Sequence, residues 1–142
     1  MQGEVLKNFV NGQWEEVRGV QTVPLRNPAT GECLAQVPLT SQDGVNAAVK
    51  AAKDAFEDWR MVPAVERARY LFKYKALLDE HKEELARTLT QEHGKTVAEA
   101  RGSIRRGIEN VEHACGIPAL MQGGSLSDIS PGIDSKTIRQ PL

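Results

Sequence analysis

The sequence predicts a helix-rich α/β fold, and two patterns along its 142 residues carry this prediction. The first forty residues alternate short apolar segments with Asn, Gly and Pro, which is typical of strands joined by tight turns. From Thr40 onward the apolar residues recur every three or four positions, which is the period of an amphipathic helix. A chain of this length can bury roughly 68–70% of its unfolded surface, so its size is compatible with a globular fold.

Two turns organise the N-terminal segment. An Asn-Gly pair at positions 11–12 lies between apolar residues and predicts a hairpin over Phe9–Trp14, because both turn positions need a positive φ. A second turn is predicted over residues 27–31 (NPATG). It is followed by a short, largely buried strand, Cys33–Val37, which Pro38 closes.

Helical periodicity predicts three helices after these strands. The first begins at a capping box formed by Thr40 and Asp43. The second begins near Pro63, and the third runs from about His81 to Gly94, where the glycine ends it. The apolar stripe of the first helix comprises Val45, Ala48, Val49, Ala52, Phe56 and Trp59, and the inner face of the second comprises Ala68, Leu71, Phe72, Lys75 and Leu78.

A fourth helix has the clearest start. Thr96 and Glu99 form a capping box, and apolar residues follow at helical spacing. Beyond Pro118 the sequence predicts a Gly/Ser-rich turn over residues 122–125 and then a polar strand over 134–142. The apolar stripe of this helix comprises Val97, Ala100, Ile104, Ile108, Val111 and Cys115.

Composition restricts the possible partners and compartment. With 18 basic and 19 acidic side chains the formal net charge is -1, which argues against a nucleic-acid binder or a polybasic membrane anchor. No run of 18 apolar residues predicts a membrane span, and the N-terminus has no signal or transit pattern. Cys33 and Cys115 lie far apart without a C-x-x-C pattern, so we expect reduced thiols in the cytoplasm and a small molecule or protein as partner.

Most chemically suggestive residues have a simpler structural interpretation. Residues 94–96 (GKT) match the end of a phosphate-binding loop, but that loop needs a glycine where Leu89 stands. The preceding segment is also predicted as helix where the loop requires a strand, so we interpret these residues as one helix ending and another beginning. The three histidines, His81, His93 and His113, lack metal-binding spacing, which favours surface or capping roles and no metal site.

The two cysteines are not predicted to be nucleophiles. Cys115 lies on an apolar stripe, where a thiol behaves as a small hydrophobe. Cys33 has no nearby cation or helix start to lower its pKa.

Three arginines on the fourth helix form the most concentrated group of cations. Arg101 and Arg105 flank the apolar stripe, whereas Arg106 points almost directly away from it. One interpretation is a solvated face on which Arg105 and Arg106 pair with Glu109. The other is a guanidinium fork for a substrate carboxylate, because two parallel hydrogen bonds supply an orientation that lysine cannot.

Several segments, taken in order, resemble the opening of the aldehyde dehydrogenase superfamily. They are residues 8–14 (NFVNGQW), 27–31 (NPATG) and 92–96 (EHGKT), the last leading into Glu99 and Ala100. Residues 106–115 (RGIENVEHAC), 120–123 (LMQG) and 138–142 (IRQPL) are similar more narrowly to methylmalonate-semialdehyde dehydrogenases. The resemblance covers nearly the whole chain.

This resemblance implies an N-terminal portion of a doubly wound, Rossmann-like cofactor domain with an incomplete sheet. Residues 1–124 would belong to the NAD-binding domain, and 125–142 would begin the oligomerisation strand region. The implied reaction oxidises malonate or methylmalonate semialdehyde with NAD, through a cysteine thioester that passes to coenzyme A. A full-length protein of this family would be a homo-oligomer, dimer or tetramer.

The resemblance transfers one site residue. The arginine that binds the substrate carboxylate in the family matches Arg106, and Arg105 is the fallback one position away. No catalytic, cofactor-binding or metal-binding residue transfers, because the family's oxyanion-hole asparagine, cofactor lysine and nucleophilic cysteine lie beyond the matched segment. The chain is therefore expected to be inactive alone. The alternative is a self-contained helical interaction module without enzymatic activity.

Overall fold

The computed structural model describes residues 3–140 and divides the chain into two compact units. Unit 1 comprises Met1–Val62 and His81–Arg105, and unit 2 comprises Pro63–Glu80 and Arg106–Leu142. The strands are β1 (Asn8–Val10), β2 (Gln13–Glu15), β3 (Thr22–Arg26), β4 (Cys33–Pro38), β5 (Gly124–Ser130) and β6 (Ile133–Thr137). The helices are α1 (Gln42–Trp59), α2 (Ala64–His93), α3 (Val97–Cys115) and α4 (Ile117–Leu120). The long helices and the small, separate sheets confirm the helix-rich α/β prediction.

The first hairpin of unit 1 is the one that the Asn-Gly pair predicts. β1 and β2 pair antiparallel, and the turn residues Asn11 and Gly12 have φ values of 49° and 77°. Phe9 lies opposite Trp14, with ring centroids 5.1 Å apart. The cross-strand aromatic pair and the left-handed turn together fix the register of this short hairpin.

The second hairpin joins β3 to β4 through the predicted turn over residues 27–31. Gly31 has a φ of 75°, and its N–H donates to the Asn27 carbonyl at 2.8 Å. β4 extends through Pro38, one residue beyond the predicted strand, and a parallel bridge joins Val5 to Gln36. β3 was not anticipated as a separate strand, because Pro24 interrupts its pattern of β-forming residues.

The predicted capping box at Thr40 is wrong by one residue. Ser41 is the N-cap of α1, and its hydroxyl accepts from the Gly44 N–H at 3.2 Å. The Thr40 hydroxyl instead accepts from the Asn8 side-chain amide at 2.8 Å. The Thr40 oxygen is therefore engaged by the first hairpin, and the adjacent serine caps the helix.

The second and third predicted helices are one continuous helix, α2, of 30 residues. The prediction of a break near His81 is wrong because the segment contains no Gly or Pro to end a helix. An ion pair and a hydrogen-bond contact at helical spacing instead support the region: Lys75 lies 2.7 Å from Asp79, and the His81 Nδ1 lies 3.1 Å from a Glu84 carboxylate oxygen.

The junction between α2 and α3 follows the prediction. Gly94 ends α2 with a φ of 80°, and its N–H donates to the Thr90 carbonyl at 2.8 Å. The Thr96 hydroxyl accepts from the Glu99 N–H at 3.3 Å, while the Glu99 carboxylate accepts from the Thr96 N–H at 3.1 Å. This reciprocal arrangement confirms the capping box at the start of α3.

In unit 2 the C-terminal segment forms a hairpin that the sequence did not predict. The expected turn over residues 122–125 is wrong, since β5 already includes Gly124 and Ser125 and pairs antiparallel with β6. The chain reverses near Gly132, whose φ is 74°. The predicted strand over 134–142 ends at Thr137, and residues 141–142 lie outside the described part of the chain.

Each unit buries few apolar residues among those that the structure describes. The buried apolar residues are Ala35, Ala68, Ala86, Ala100, Ile108 and Cys115. α1 buries none of its residues, and its apolar stripe is exposed at Val45, Val49, Phe56 and Trp59. A self-contained module of four mutually packed helices would cover this stripe. None of the helices within residues 3–140 combines the length and apolar character that crossing a membrane requires.

Candidate functional site

Arg106 and Arg105 both lie on α3 and are both exposed, as the helical wheel predicts for Arg106 in particular. Two residues further along, Ile108 is only 8% exposed and belongs to the core. α3 therefore has a buried side at Ile108 and an exposed side that carries Arg105 and Arg106. A guanidinium on an exposed helix face can form the two parallel hydrogen bonds that a carboxylate ligand requires.

Arg101, the third arginine of the group, is engaged by an acidic residue of α2. Within unit 1, its Nε lies 2.9 and 3.1 Å from the two carboxylate oxygens of Glu83, and its Nη2 lies 2.8 Å from one of them. The hydrogen bonds from Arg101 lower the pKa of the Glu83 carboxyl, so the pair stays charged at neutral pH. Arg101 thus forms an ion pair that connects α3 to α2 within unit 1.

A second charged contact joins α2 to α3 within unit 2. Lys75 lies 2.7 Å from Asp79 on its own helix and 3.0 Å from Glu112 on α3. Hydrogen bonds to these two carboxylates raise the pKa of Lys75. The sequence placed Lys75 on the inner face of its helix, and the ion pair with Glu112 explains how a charged residue is accommodated there.

The GKT segment, residues 94–96, is the junction at which α2 ends and α3 begins, as its sequence predicts. The residues before Gly94 are helical up to His93, and Thr96 caps the next helix. The Lys95 ammonium donates to the Ser103 hydroxyl at 2.9 Å. These contacts belong to a helix junction, and a phosphate-binding loop would instead need a strand before the glycine.

The cysteines and histidines show no metal-binding arrangement within residues 3–140. Cys115 is buried and Cys33 is partly buried, and both are free thiols. Among residues 3–140, no three His, Cys, Asp or Glu side chains come together in a way that could hold a metal ion.

Two of the segments that carry the family resemblance meet in unit 1. A Cβ atom on Gly94 would lie 2.9 Å from the Pro28 Cγ and 3.2 Å from the Ala29 nitrogen. The turn over residues 27–31 therefore packs directly against the end of α2, at a position where only glycine fits. The sequence shows both segments, but their contact was not predicted.

Arg67 is not among the candidate residues that the sequence predicts. It lies in unit 2 near the start of α2, and its Nε is buried with no hydrogen-bond partner in the described part of the chain. Its Nη2 lies 3.7 Å from the Met121 sulfur.

Met121 also lines a cleft of about 350 Å³ with Lys136 and Arg139. Arg139 donates to the carbonyls of Leu120 and Gln122 at 2.6 and 3.0 Å, which ties it to the end of α4.

Two curated relatives that this chain resembles are malonate-semialdehyde dehydrogenases. Malonate-semialdehyde dehydrogenase 2 of Geobacillus kaustophilus (strain HTA426) is 52% identical over 139 residues, which are 98% of this chain and 29% of that protein. Malonate-semialdehyde dehydrogenase of Halalkalibacterium halodurans is 50% identical over 140 residues, covering 99% of this chain and 29% of the relative. The chain thus spans less than a third of the length of these curated relatives.

Solved structures show the same fold. The crystal structure of methylmalonate-semialdehyde dehydrogenase from Oceanimonas doudoroffii superposes with a TM-score of 0.88 at 41% identity, over 97% of this chain and 28% of that one. A protein of Sinorhizobium meliloti 1021 assigned as a methylmalonate-semialdehyde dehydrogenase, and complexed with NAD, has a TM-score of 0.88 at 38% identity. The superposition covers 99% of this chain and 29% of the Sinorhizobium meliloti chain.

The fold and the family therefore agree with the prediction from the sequence. The described elements correspond to the N-terminal part of these dehydrogenase structures, which explains the small, incomplete sheets. The model of the aldehyde dehydrogenase family matches residues 14–142. This match covers most of the chain, which belongs to the aldehyde dehydrogenase family.

Proposed function

We propose that this chain is the N-terminal part of an NAD-dependent dehydrogenase that oxidises malonate or methylmalonate semialdehyde to an acyl-CoA through a cysteine thioester. The identity of 52% to a malonate-semialdehyde dehydrogenase over 98% of the chain supports the substrate class. A structural neighbour complexed with NAD supports the cofactor. Coenzyme A, as acyl acceptor, follows from the resemblance to methylmalonate-semialdehyde dehydrogenases.

Arg106 is the residue to which we assign substrate binding. Both semialdehydes carry a carboxylate that plain aldehydes lack, and a guanidinium can bind it through two parallel hydrogen bonds. The observation that carries this assignment is the exposure of Arg106 on α3, in a helix whose opposite side is held by the buried Ile108. A fixed helix with an exposed arginine orients a ligand better than an arginine on a loop does.

We assign the remaining chemistry to other parts of the full-length enzyme, since this chain corresponds to 29% of the matched relative. Neither Cys33 nor Cys115 is assigned as the nucleophile, and Cys115 is buried at 7% exposure in the core. NAD, when bound, accepts the hydride, but we assign none of residues 3–140 to NAD or coenzyme A. The 142-residue chain alone is therefore expected to be inactive.

The same proposal gives the arrangement of the whole enzyme. Residues 1–124 belong to the NAD-binding domain, and 125–142 begin the oligomerisation region of a cytoplasmic homo-oligomer, dimer or tetramer. The β5–β6 hairpin supports this division, because Leu126, Ile129 and Ile133 on it are all more than half exposed. An exposed apolar hairpin is suited to contact another polypeptide.

The full-length enzyme carrying Arg106→Ala tests the proposal. We expect a large loss in kcat/KM for malonate semialdehyde, about 10²-fold, because a bidentate contact to a charged group is lost. The kcat/KM for propanal, which has no carboxylate, should change little. Unchanged discrimination between the two aldehydes would refute the role of Arg106.

Arg105→Ala is the matched control. It removes the same side chain one position away, about 100° around the helix. We expect discrimination between the two aldehydes to persist in this variant. If Arg105→Ala abolishes discrimination and Arg106→Ala does not, the assignment moves to Arg105.

A further inference from the structure

One edge of the Arg67 guanidinium is buried in unit 2 and incompletely hydrogen-bonded. Its Nε has no acceptor among the described residues, and its Nη2 donates to the Met121 sulfur at 3.7 Å. A thioether is a weak acceptor, and a buried donor without a partner destabilises the folded state. This edge of Arg67 therefore suits an additional, stronger acceptor.

The two donors of this edge can bind a single oxygen atom. The N–H bonds of Nε and Nη2 run parallel along one side of the guanidinium plane. Arg101 shows this geometry in unit 1, where its Nε and Nη2 lie 3.1 and 2.8 Å from the same carboxylate oxygen of Glu83. One oxygen at the corresponding place beside Arg67 would satisfy both of its donors.

The Met121 sulfur is placed to carry such an oxygen. The side chain is partly exposed and lines the cleft of about 350 Å³, which gives a small solute access to it. The 3.7 Å between the sulfur and the Arg67 Nη2 is longer than an ordinary N–H···O hydrogen bond. An oxygen bonded to the sulfur on this side lies closer to Nη2 and comes within hydrogen-bond distance.

A peroxide supplies that oxygen by a balanced reaction. A lone pair on the sulfur attacks one oxygen of hydrogen peroxide, an S–O bond forms and the O–O bond breaks. The departing hydroxide takes the proton from the transferred oxygen and leaves as water. The thioether loses two electrons and the peroxide gains them. The product is a methionine sulfoxide, which reductases return to methionine.

We propose that Met121 is a site of reversible oxidation by peroxide, and that its sulfoxide oxygen accepts hydrogen bonds from Nε and Nη2 of Arg67. Oxidation of a methionine ordinarily places a polar oxygen among apolar atoms and disrupts packing. At Met121 the oxygen instead meets two buried donors, so the folded state accommodates it. The proposal goes beyond the proposed function and is independent of it, because neither residue is assigned to the substrate.

The position of Arg67 also determines the chirality of the product. A sulfoxide sulfur is a chiral centre, and peroxide forms both epimers where nothing orients the new oxygen. Because Arg67 faces the sulfur from one side, we expect one epimer to predominate at Met121. The reductases MsrA and MsrB each reduce one epimer, so they measure the proportion of the two.

Peroxide treatment of the full-length enzyme, followed by peptide mapping, tests the proposal. Trypsin releases residues 107–136, in which Met121 is the only methionine, and fragmentation distinguishes an oxygen on Met121 from one on Cys115. We expect one of the two reductases to restore this peptide at least about fivefold more completely than the other. Met61, which is 77% exposed, is the internal control and should form nearly equal amounts of both epimers.

Arg67→Leu removes every donor that faces the sulfur. We expect Met121 in this variant to form both epimers in nearly equal amounts. Arg69→Leu is the matched control, because Arg69 lies on the same helix and pairs with Glu66 at 2.7 Å. The preference for one epimer at Met121 should persist in Arg69→Leu.

Two substitutions of Met121 test the same contact without peroxide. Met121→Gln carries a fixed carbonyl oxygen that can accept from Arg67, whereas Met121→Leu keeps the apolar volume and has no acceptor. We expect Met121→Gln to have the higher Tm in the full-length enzyme, by about 1–2 °C. In the Arg67→Leu background the order should reverse, because the glutamine carbonyl then loses its donor.

Three results would overturn the proposal: equal epimers at Met121 in the parent enzyme, a lower Tm for Met121→Gln than for Met121→Leu, or no oxidation of Met121 under conditions that oxidise Met61. The first two would also be seen if another part of the full-length enzyme already occupied the donors of Arg67. None of these measurements depends on activity. The discrimination test of Arg106→Ala therefore stands or fails separately.

Discussion

α1 and α3 are amphipathic helices of almost equal length, 18 and 19 residues, but they bury very different amounts of their apolar stripes. α3 contributes Ala100, Ile108 and Cys115 to the core. α1 contributes nothing, and Val49 in the middle of its stripe is 63% exposed. Similar sequence patterns thus lead to different degrees of burial.

The difference teaches that amphipathicity predicts which face of a helix can be buried, but not whether a partner is present to bury it. α3 meets α2, which supplies ion-pair partners at Glu83 and Lys75. The stripe of α1 lacks this degree of cover, and Val45, Val49, Phe56 and Trp59 on it are 38–63% exposed. In the proposed full-length dehydrogenase, the remaining polypeptide would supply that cover.

Substituting one apolar residue on each helix tests this comparison most strongly. We expect Ile108→Ala to lower the free energy of unfolding of the 142-residue chain by about 2–5 kcal/mol, because it leaves a cavity in the core. Val49→Ala should lower it by less than about 0.5 kcal/mol, since the side chain is already exposed. Urea denaturation followed by far-ultraviolet circular dichroism measures both values.

The same two variants in the full-length enzyme sharpen the comparison. Once α1 is covered, Val49→Ala should cost about 1–2 kcal/mol, whereas the effect of Ile108→Ala should change little. An equally small effect of Val49→Ala in both proteins would show that the α1 stripe stays exposed. That result would contradict the expected packing of α1 in the dehydrogenase.

Gly94 provides the next largest expected effect. Gly94→Ala places a Cβ at a φ of 80° and 2.9 Å from the Pro28 Cγ, so we expect a loss of about 2 kcal/mol in the free energy of unfolding. Thermal unfolding of the full-length enzyme measures this loss. Gly107→Ala on α3, where a Cβ meets no atom within 4 Å, is the control and should be neutral or slightly stabilising.

Local chemistry explains which elements were predictable from the sequence. The Asn11–Gly12 turn, the stop at Gly94 and the Thr96–Glu99 box each depend on a few neighbouring residues whose side chains or backbone freedom determine the outcome. The family resemblance likewise depends on short segments that can be read directly. These predictions are therefore confirmed.

The failures have one non-local and one local cause. Thr40 was predicted to cap α1, but the amide of Asn8, 32 positions away, occupies its hydroxyl. The predicted break in α2 is wrong for a local reason, because residues 64–93 contain no Gly or Pro that would end a helix. For the candidate site, the exposure of Arg106 could be predicted from the helical wheel. The ion pairs of Arg101 with Glu83 and of Lys75 with Glu112 could not, because each joins residues of two different helices.

The N-caps of α1 and α3 test the comparison at a smaller scale. Thr96→Ala removes the hydroxyl that accepts from the Glu99 N–H and should cost about 1 kcal/mol. Ser41→Ala removes a single hydrogen bond to the Gly44 N–H and should cost about 0.5 kcal/mol. Hydrogen exchange of the first-turn amides in the full-length enzyme measures both losses locally.

The pH dependence of these two helix starts distinguishes a reciprocal box from a simple cap. Hydrogen bonds from the Thr96 hydroxyl and N–H lower the pKa of Glu99 below its ordinary value of 4.5. A carboxyl with a lowered pKa stabilises the folded state above its unfolded pKa, and this contribution is lost as the pH falls through the folded value. Exchange of the α3 first-turn amides should therefore accelerate below about pH 4.5, relative to those of α1, and Glu99→Gln should abolish the difference. If α3 and α1 respond alike to acid, the Glu99 carboxylate does not support the start of α3, and the serine and threonine caps are equivalent.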